Sequence, residues 1–220
     1  DCPQPEIDGA LQAVEEFGDE IILVGDQAQV EPLLKQRLDE RGVPHDRVRL
    51  LHAADTITME DKGITLALKA KRGNSQTSMA IGMDLIKNGE ADAFVTAGNT
   101  GGALTTGYFR LGLLEGVERP GLTVLIPVKD GFCAVLDIGA NPDCKPEHLL
   151  QFGILGSVYA EKALQIEAPR VGLMSNGEEA CKGNELVKAT YPLLEASGLN
   201  FVGNIEGKEL YGGEVDVAVM

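Results

Sequence analysis

"ADAFVTAGNTGGAL" (residues 91–104) starts as an apolar run, passes through a neutral loop and leads into helix-forming residues. A short apolar run bounded by turn residues reads as a buried strand. The loop after it, 96–102, holds three glycines, two threonines and one asparagine, and no charge. Strand, glycine-rich loop and helix in succession make the repeating unit of an α/β sheet. Glycine lets a backbone approach a ligand closely, and the free N–H groups at the start of the next helix attract an anion.

Outward from this stretch the same alternation continues in both directions. "EIILVG" (20–25) is a strand, and Val30, Leu33, Leu34 and Leu38 give 27–41 a helical period. "RVRLLHA" (47–53) is the next strand, and Met79, Met83 and Ile86 mark a helix over 76–88. A helix is expected over 103–114. "LTVLIPV" (122–128) and "CAVLDIG" (133–139) flank the turn "KDGF" and predict an antiparallel hairpin. Pro146 opens a long helix, and its apolar stretch 148–166 reads as a buried or interface helix. "RVGLMS" (170–175), a helix over 184–196, "LNFVGNI" (199–205) and "VDVAVM" (215–220) complete the series. The fold class is α/β: a mainly parallel sheet with helices on both faces and one antiparallel excursion, read as a single domain over 1–220. At least four strands end in similar loops, at 96–102, 137–146, 175–184 and 203–207. In a parallel sheet such loops converge on the carboxyl edge, where open α/β sheets bind ligands. Their neutral donors suit a small anion, phosphate or carboxylate.

Composition narrows the classes. Of 220 residues, 34 are acidic and 19 basic, for a net charge of −15. Net acidity argues against generic binding to nucleic acid or to an anionic membrane, which needs a basic face. The four cysteines include no CxxC pair, which fits buried thiols in a reducing cytosol better than disulfides or zinc. No apolar run reaches transmembrane length. Position 1 is Asp, and the chain stops on an apolar strand, so both ends read as cut from a longer chain.

Familiar nucleotide and hydrolase motifs are missing. No G-x-G-x-x-G follows a strand, "GEEACKGN" (177–184) is only loosely like a Walker A loop, and there is no G-x-S-x-G elbow. His45, His52 and His148 lack metal-ligand spacing, and His148, in the first turn of a helix, reads as a packing or capping residue. Glu178 and Glu179 are acid–base candidates, although Glu178 with Lys182 also fits an i,i+4 ion pair. Asp137 at a strand end either orients a ligand or caps the following loop.

"SMAIGMDLIKNGEADAFVTAGNTGGAL", "LDIGANPDCKPEHLLQFGILGSVYAEK", "RVGLMSNGEEACKGNEL" and "FVGNIEGKEL" resemble, in collinear order over nearly the whole chain, the PlsX family of phosphate acyltransferases in bacterial phospholipid synthesis. There are small departures: "AGNTGGA" has an extra glycine where alanine is usual, and "SNGEE" stands for Asn-Ile-Gly-Glu-Glu. The resemblance implies a three-layer α/β/α sandwich similar to phosphotransacetylases and to isopropylmalate dehydrogenase-like folds. It implies transfer of a fatty acyl group from acyl-acyl carrier protein to inorganic phosphate, giving acyl phosphate for phosphatidic acid synthesis. It further implies a cytoplasmic homodimer, peripheral at the membrane at most, that feeds a membrane glycerol-3-phosphate acyltransferase. No metal and no organic cofactor are implied. A further Asp-Gly-Phe and Gly-Asn loop is expected after Met220.

Phosphate attack on a thioester needs the two reactants held together and the oxyanion stabilised. Neutral amide, Asn and Thr donors serve both tasks. Asn99, Asn141 and Lys182 are the expected catalytic residues. Thr100, Gly101, Gly139, Lys145, Gly177 and Asn204 are the expected phosphate and substrate ligands. Asn99→Ala is expected to cost activity with the melting temperature nearly unchanged. The acid-free segment "KGITLALKAKR" (62–72) carries Lys62, Lys69, Lys71 and Arg72, the expected docking patch for an acidic carrier protein. Two alternatives remain at this level: a small-anion-binding protein of dehydrogenase-like fold, and a peripheral membrane scaffold.

Overall fold

The computed structural model describes residues 3–71, 73 and 75–220. The chain divides into two compact units, Asp1–Gly112 and Leu113–Met220, where the sequence reading has one domain.

The first unit pairs two parallel strands, β1 (Ile21–Gly25) and β2 (Val48–His52), in the register Ile21 with Val48 through Gly25 with His52. Helix α1 (Gln4–Phe17) buries Ile7, Leu11 and Val14. Helix α2 (Gln27–Arg41) buries Val30, Leu34 and Leu38. Both sets recur every three or four residues, so each helix turns one apolar stripe inward, and the two stripes share a core with Val43 and Val48. Local chemistry sets the ends of α2: the Asp26 carboxylate accepts from the Ala28 N–H at its start, and Gly42 stops it at φ +68°. Helices α3 (Gly63–Lys71), α4 (Ser78–Lys87) and α5 (Thr100–Arg110) follow, around a smaller core of Ile57, Leu66 and Met79.

Residues 91–98 differ from expectation. They form no strand among the described residues. Phe94 packs into the α3–α5 core beside Ala103, against Gly82 of α4, where even a methyl group would come within 2.3 Å of the Phe94 ring. Val95 is 92% exposed. The alternation of a strand is present, but no neighbour among the described residues supplies a ladder of N–H and C=O partners, and a strand exists only through that ladder. Helix α5 also begins three residues earlier than predicted, so Thr100, Gly101 and Gly102 are its first turn. Three helices went unassigned in the sequence reading: α1, α3 and α8 (Gly207–Gly212).

The second unit holds the larger sheet. The strands β3 (Thr123–Val128), β4 (Gly131–Leu136), β5 (Val171–Met174), β6 (Phe201–Ile205) and β7 (Val217–Val219) lie in the order β3-β4-β7-β5-β6. β3 and β4 form the predicted antiparallel hairpin, and every other pairing is parallel. Alternate residues face opposite layers. Ala134, Leu136, Val171, Leu173, Val217 and Val219 pack with Leu149, Phe152 and Ala160 of α6 (Pro146–Ala163) and with Val187 and Leu194 of α7 (Glu185–Glu195). On the other face Cys133, Val135, Ala218 and Ile205 pack with Leu210 of α8 and Val215. This gives the expected α/β/α layering. Gly156 lets α6 lie directly on the sheet: a Cβ there would stand 2.5 Å from Val217 and 2.9 Å from Leu136. No helix among the described residues is long and apolar enough to cross a membrane.

The three described cysteines differ, and Cys2 lies outside the described residues. Cys133 is buried, and desolvation pushes its thiol up to about 12. Cys144 is half-buried. Cys181 is exposed, unlike the buried thiols expected.

One ion pair ties β7 to the chain entering β5. Asp216 accepts from the Arg170 backbone N–H at 2.8 Å and from its guanidinium at 2.9 Å through both carboxylate oxygens. The guanidinium holds the Asp216 carboxyl below the usual carboxylate range. A carboxyl whose folded pKa is depressed stabilises the fold above its unfolded pKa and loses that contribution as pH falls through the folded value. Thermal stability is therefore expected to fall as pH drops below about 4, the unfolded Asp pKa. Asp216→Asn should lower stability at neutral pH and flatten that acid limb, which melting curves from pH 7 to pH 2 would show.

Candidate functional site

The quoted loop builds the first candidate from the backbone up. Asn99 is the N-cap of α5, and its Oδ1 accepts from the Gly102 N–H at 2.9 Å. Its Nδ2 donates to the carbonyls of Thr58 (2.9 Å) and Asp61 (3.2 Å). Both ends of this side chain are therefore held by the protein. Loss of an N-cap costs ~0.5–2 kcal/mol, so Asn99→Ala is expected to destabilise the fold, contrary to the sequence expectation. The N–H groups of Thr100 and Gly101 make no hydrogen bond among the described residues, and both residues are exposed. They are the open donors at the positive end of the helix.

The glycines of this loop have different reasons. A Cβ on Gly98 would stand 2.8 Å from Met79, and one on Gly102 would stand 2.8 Å from Ile57. Packing demands both. A Cβ on Gly101 would meet only Asn99 Oδ1 at 3.4 Å and Leu66 at 3.8 Å, ordinary contacts. Glycine in a helix costs up to ~1 kcal/mol relative to alanine, and nothing among the described residues requires it at 101.

The loop 53–61 holds Asn99 from below. Asp61 is almost fully buried, and its Oδ2 accepts from the Thr58 N–H (2.7 Å), the Thr58 hydroxyl (3.1 Å) and Lys69 Nζ (2.9 Å). Lys69 also donates to the Thr56 carbonyl at 2.9 Å and lies 3.8 Å from Asp55. The hydrogen bond with Lys69 holds the Asp61 carboxyl below its ordinary value, and the same bond raises the Lys69 ammonium. Lys69 thus points into the loop, where the sequence reading has it in a docking patch. Lys62 and Lys71 are exposed, with Lys71 5.8 Å from the centre of the Phe109 ring. Arg72 lies outside the described residues.

The start of the same loop walls a cleft of about 360 Å³ at the carboxyl ends of β1 and β2, lined by Gly25, Asp26, Ala53, Asp55, Thr56 and Ser78 among others. Sequence reading missed these residues. The signal was present in "VGDQ" (24–27), a strand ending in glycine before a capped helix, the same pattern as in the four chosen loops.

Three of those loops, 137–146, 175–184 and 203–207, follow β4, β5 and β6. These strands run parallel in one sheet, so the loops share its carboxyl edge. Asp137 is buried and accepts from the Leu122 N–H (2.8 Å), the Asn141 N–H (2.7 Å) and Asn141 Nδ2 (2.9 Å). It caps the loop. Asn141 Nδ2 also donates to the Pro120 carbonyl at 2.8 Å, so this amide is engaged inside the chain. Gly139 turns the loop at φ +75°. Lys145 is exposed at the start of α6, and its backbone N–H donates to His148 Nδ1 at 3.1 Å. An accepting Nδ1 leaves the ring proton on Nε2, 3.2 Å from the Glu118 carboxylate. His148, almost fully buried, is a capping residue.

At β5 and β6, Asn204 Nδ2 donates to the Glu179 carbonyl at 2.9 Å, tying the 175–184 loop to β6. Asn204 Oδ1 and Ser175 Oγ are buried without a partner among the described residues. One Nδ2 hydrogen of Asn204 is thus engaged within the chain, and the second remains a donor. Gly177 sits against the Lys182 side chain, 2.8 Å from where its own Cβ would stand, and Lys182 itself is exposed. Residues 178–182 are not helical, so the Glu178–Lys182 pair does not form. Glu178 pairs instead with Lys208, which also meets Glu209 at 3.4 Å. The carboxylates of Glu178, Glu206 and Glu209 lie within 4.8 Å of one another, with the Lys208 charge among them.

The chain can be set beside known proteins. The model of a family described as fatty acid synthesis protein matches residues 2–220. A protein named phosphate acyltransferase from Koribacter versatilis (strain Ellin345) is 46% identical over 225 residues, covering 99% of this chain and 60% of that protein. Another of the same name, from Aquifex aeolicus (strain VF5), is 45% identical over 218 residues, with 99% and 62% covered. The chain thus spans about three fifths of the length of these relatives. Among solved structures, the EutD phosphotransacetylase from Staphylococcus aureus aligns with a TM-score of 0.52 at 14% identity, covering 98% of this chain and 82% of that one. A branched-chain phosphotransacylase from Enterococcus faecalis V583 aligns at 0.51 and 13%, covering 90% and 78%. At these identities the likeness is one of fold, and it agrees with the α/β reading. Sequence match over the full chain and likeness of fold point the same way: the chain belongs to the fatty acid synthesis protein family, whose members include the phosphate acyltransferases.

Proposed function

We propose that the protein transfers a fatty acyl group from acyl-acyl carrier protein to inorganic phosphate. A phosphate oxygen attacks the thioester carbonyl carbon, and a C–O bond forms as the C–S bond breaks. The electron pair leaves on sulfur, and the products are an acyl phosphate and the carrier thiol. A thiolate is a good leaving group, so the protein must chiefly hold the reactants and stabilise the oxyanion. The observation that carries this reading is the open α5 N-terminus. Thr100 and Gly101 present free N–H groups, and Gly101 leaves clear the space a side chain would fill. Lys145 and Lys182, exposed on the sheet edge of the second unit, are cations available to an acidic carrier. The family resemblance supports a cytoplasmic homodimer, peripheral at the membrane at most, whose acyl phosphate passes to a membrane glycerol-3-phosphate acyltransferase.

The direct test uses full-length protein and acyl-acyl carrier protein, with free thiol followed over time. Thiol release is expected only when inorganic phosphate is present. Equal release without phosphate would mean simple thioester hydrolysis and would overturn the proposal.

The carrier surface has its own test. With Lys69 turned inward, docking falls to Lys62 and Lys71. Exposed charges act mainly on encounter with a charged partner. Lys62→Glu with Lys71→Glu is expected to raise the carrier KM about fivefold at low ionic strength, with phosphate KM unchanged. Titration of both substrates at two salt concentrations checks this, and an unchanged carrier KM places docking elsewhere.

A further inference from the structure

The ion pair between α3 and the 53–61 loop lies directly beneath the proposed phosphate donors. Lys69 Nζ joins Asp61 at 2.9 Å and the Thr56 carbonyl at 2.9 Å. Asp61, through one oxygen, holds the backbone N–H and hydroxyl of Thr58. The carbonyls of those same two residues, Thr58 and Asp61, receive the Asn99 amide, whose other end caps Gly102. Ile57, between Thr56 and Thr58, fills the space that a side chain at Gly102 would need. The route from Lys69 to the α5 N-terminus is thus an unbroken series of hydrogen bonds with a packing contact beside it.

We propose that Lys69 and Asp61 are positioning residues for the phosphate site: by clamping the 53–61 loop they hold Asn99, and through it the Thr100 and Gly101 N–H groups, at the angle the anion requires. This rests on the reading of α5 as the phosphate site. Neither residue touches the substrate. Lys69 closes the loop onto α3, and Asp61 folds the turn from Thr58 that presents two carbonyls side by side. The Asn99 amide bridges those carbonyls and cannot cap α5 in the same pose without them. Preorganised donors are worth most when they need not move as charge develops, so a slack clamp should weaken phosphate use while leaving the carrier interaction alone.

The experiment compares phosphate KM, carrier KM and kcat in full-length wild type, Lys69→Met and Lys69→Arg, each also made on an Asn99→Ala background, with Gly101→Ala alongside. Lys69→Met is expected to raise phosphate KM about tenfold with carrier KM within about twofold, and Lys69→Arg to restore most of the loss. On the Asn99→Ala background Lys69→Met should add less than about twofold, because residues acting through one link are not additive. A rise in carrier KM with phosphate KM unchanged would return Lys69 to docking and overturn the proposal, as would full additivity with Asn99→Ala. If Gly101→Ala impairs phosphate use and Lys69→Met does not, the clamp alone is rejected. If Gly101→Ala leaves phosphate kinetics unchanged, the phosphate site itself is rejected and the clamp with it. Should Lys69→Met not fold, amide hydrogen exchange at Gly102 in the near-isosteric Asp61→Asn protein carries the test. Exchange about tenfold faster than wild type supports the clamp, and an unchanged rate overturns it.

Discussion

Gly101→Ala in the full-length protein is expected to lower kcat/KM for phosphate by at least about tenfold while leaving the melting temperature unchanged or higher. The two halves of this expectation come from different observations. The added methyl group meets only Asn99 Oδ1 at 3.4 Å and Leu66 at 3.8 Å, which the fold accommodates. Residue 101 is already helical, so alanine stabilises it by up to ~1 kcal/mol. The same methyl group stands beside the open N–H groups of Thr100 and Gly101, where an anion must come within hydrogen-bond distance. Asn99→Ala cannot separate the two effects, because it removes a cap and two loop contacts at once. Steady-state kinetics in phosphate together with a melting curve decide the matter. Wild-type kinetics in Gly101→Ala would leave the glycine without a ligand to explain it.

Phe152→Ala carries the largest expected effect on stability. Phe152 is completely buried in the core between α6 and the sheet. Its ring also lies against Gly121, where a Cβ would stand 3.0 Å away. Truncating it removes apolar contact on several sides and leaves a cavity that the rigid sheet cannot close. Such changes cost ~3–5 kcal/mol, against a total stability of ~5–15 kcal/mol for an ordinary protein. Urea unfolding of the second unit should show a lower midpoint with an unchanged slope, and Phe152→Leu, which keeps most of the volume, should lose much less. A shift under about 1 kcal/mol would mean that the site collapses and that α6 is not seated as described.

Much of the fold is legible in the sequence because its signals are local. Asp26 and Gly42 bound α2, and Asn184, whose Oδ1 accepts from the Val187 N–H, starts α7. The hairpin follows from two apolar runs around "KDGF", with Asp130 taking the positive φ of 64° that the turn needs. Such features depend on residues within a few positions of one another, so the sequence displays them directly. The neutral loop at 96–102 is legible for the same reason.

Tertiary structure alone decided which groups pair. Residues 91–98 have the apolarity of a strand, but strand formation depends on a neighbour distant in the chain. Lys62, Lys69 and Lys71 look alike in one basic segment, and only the folded loop 53–61 turns Lys69 inward onto Asp61. Glu178 lies four residues from Lys182, yet its partner is Lys208, brought near by the β5–β6 pairing. Asn99, Asn141 and Asn204 all stand in or beside glycine-containing loops with the composition of ligands. The first caps a helix, the second is locked to Asp137, and the third ties the 175–184 loop to β6 through the Glu179 carbonyl. The sequence by itself determined the elements and the kind of loop at their ends, because backbone preference and side-chain capping act over a turn or less. Only the tertiary structure decided which donors stay open, because a polar side chain is satisfied by whatever the fold sets within about 3 Å of it, however far away in the chain that group lies.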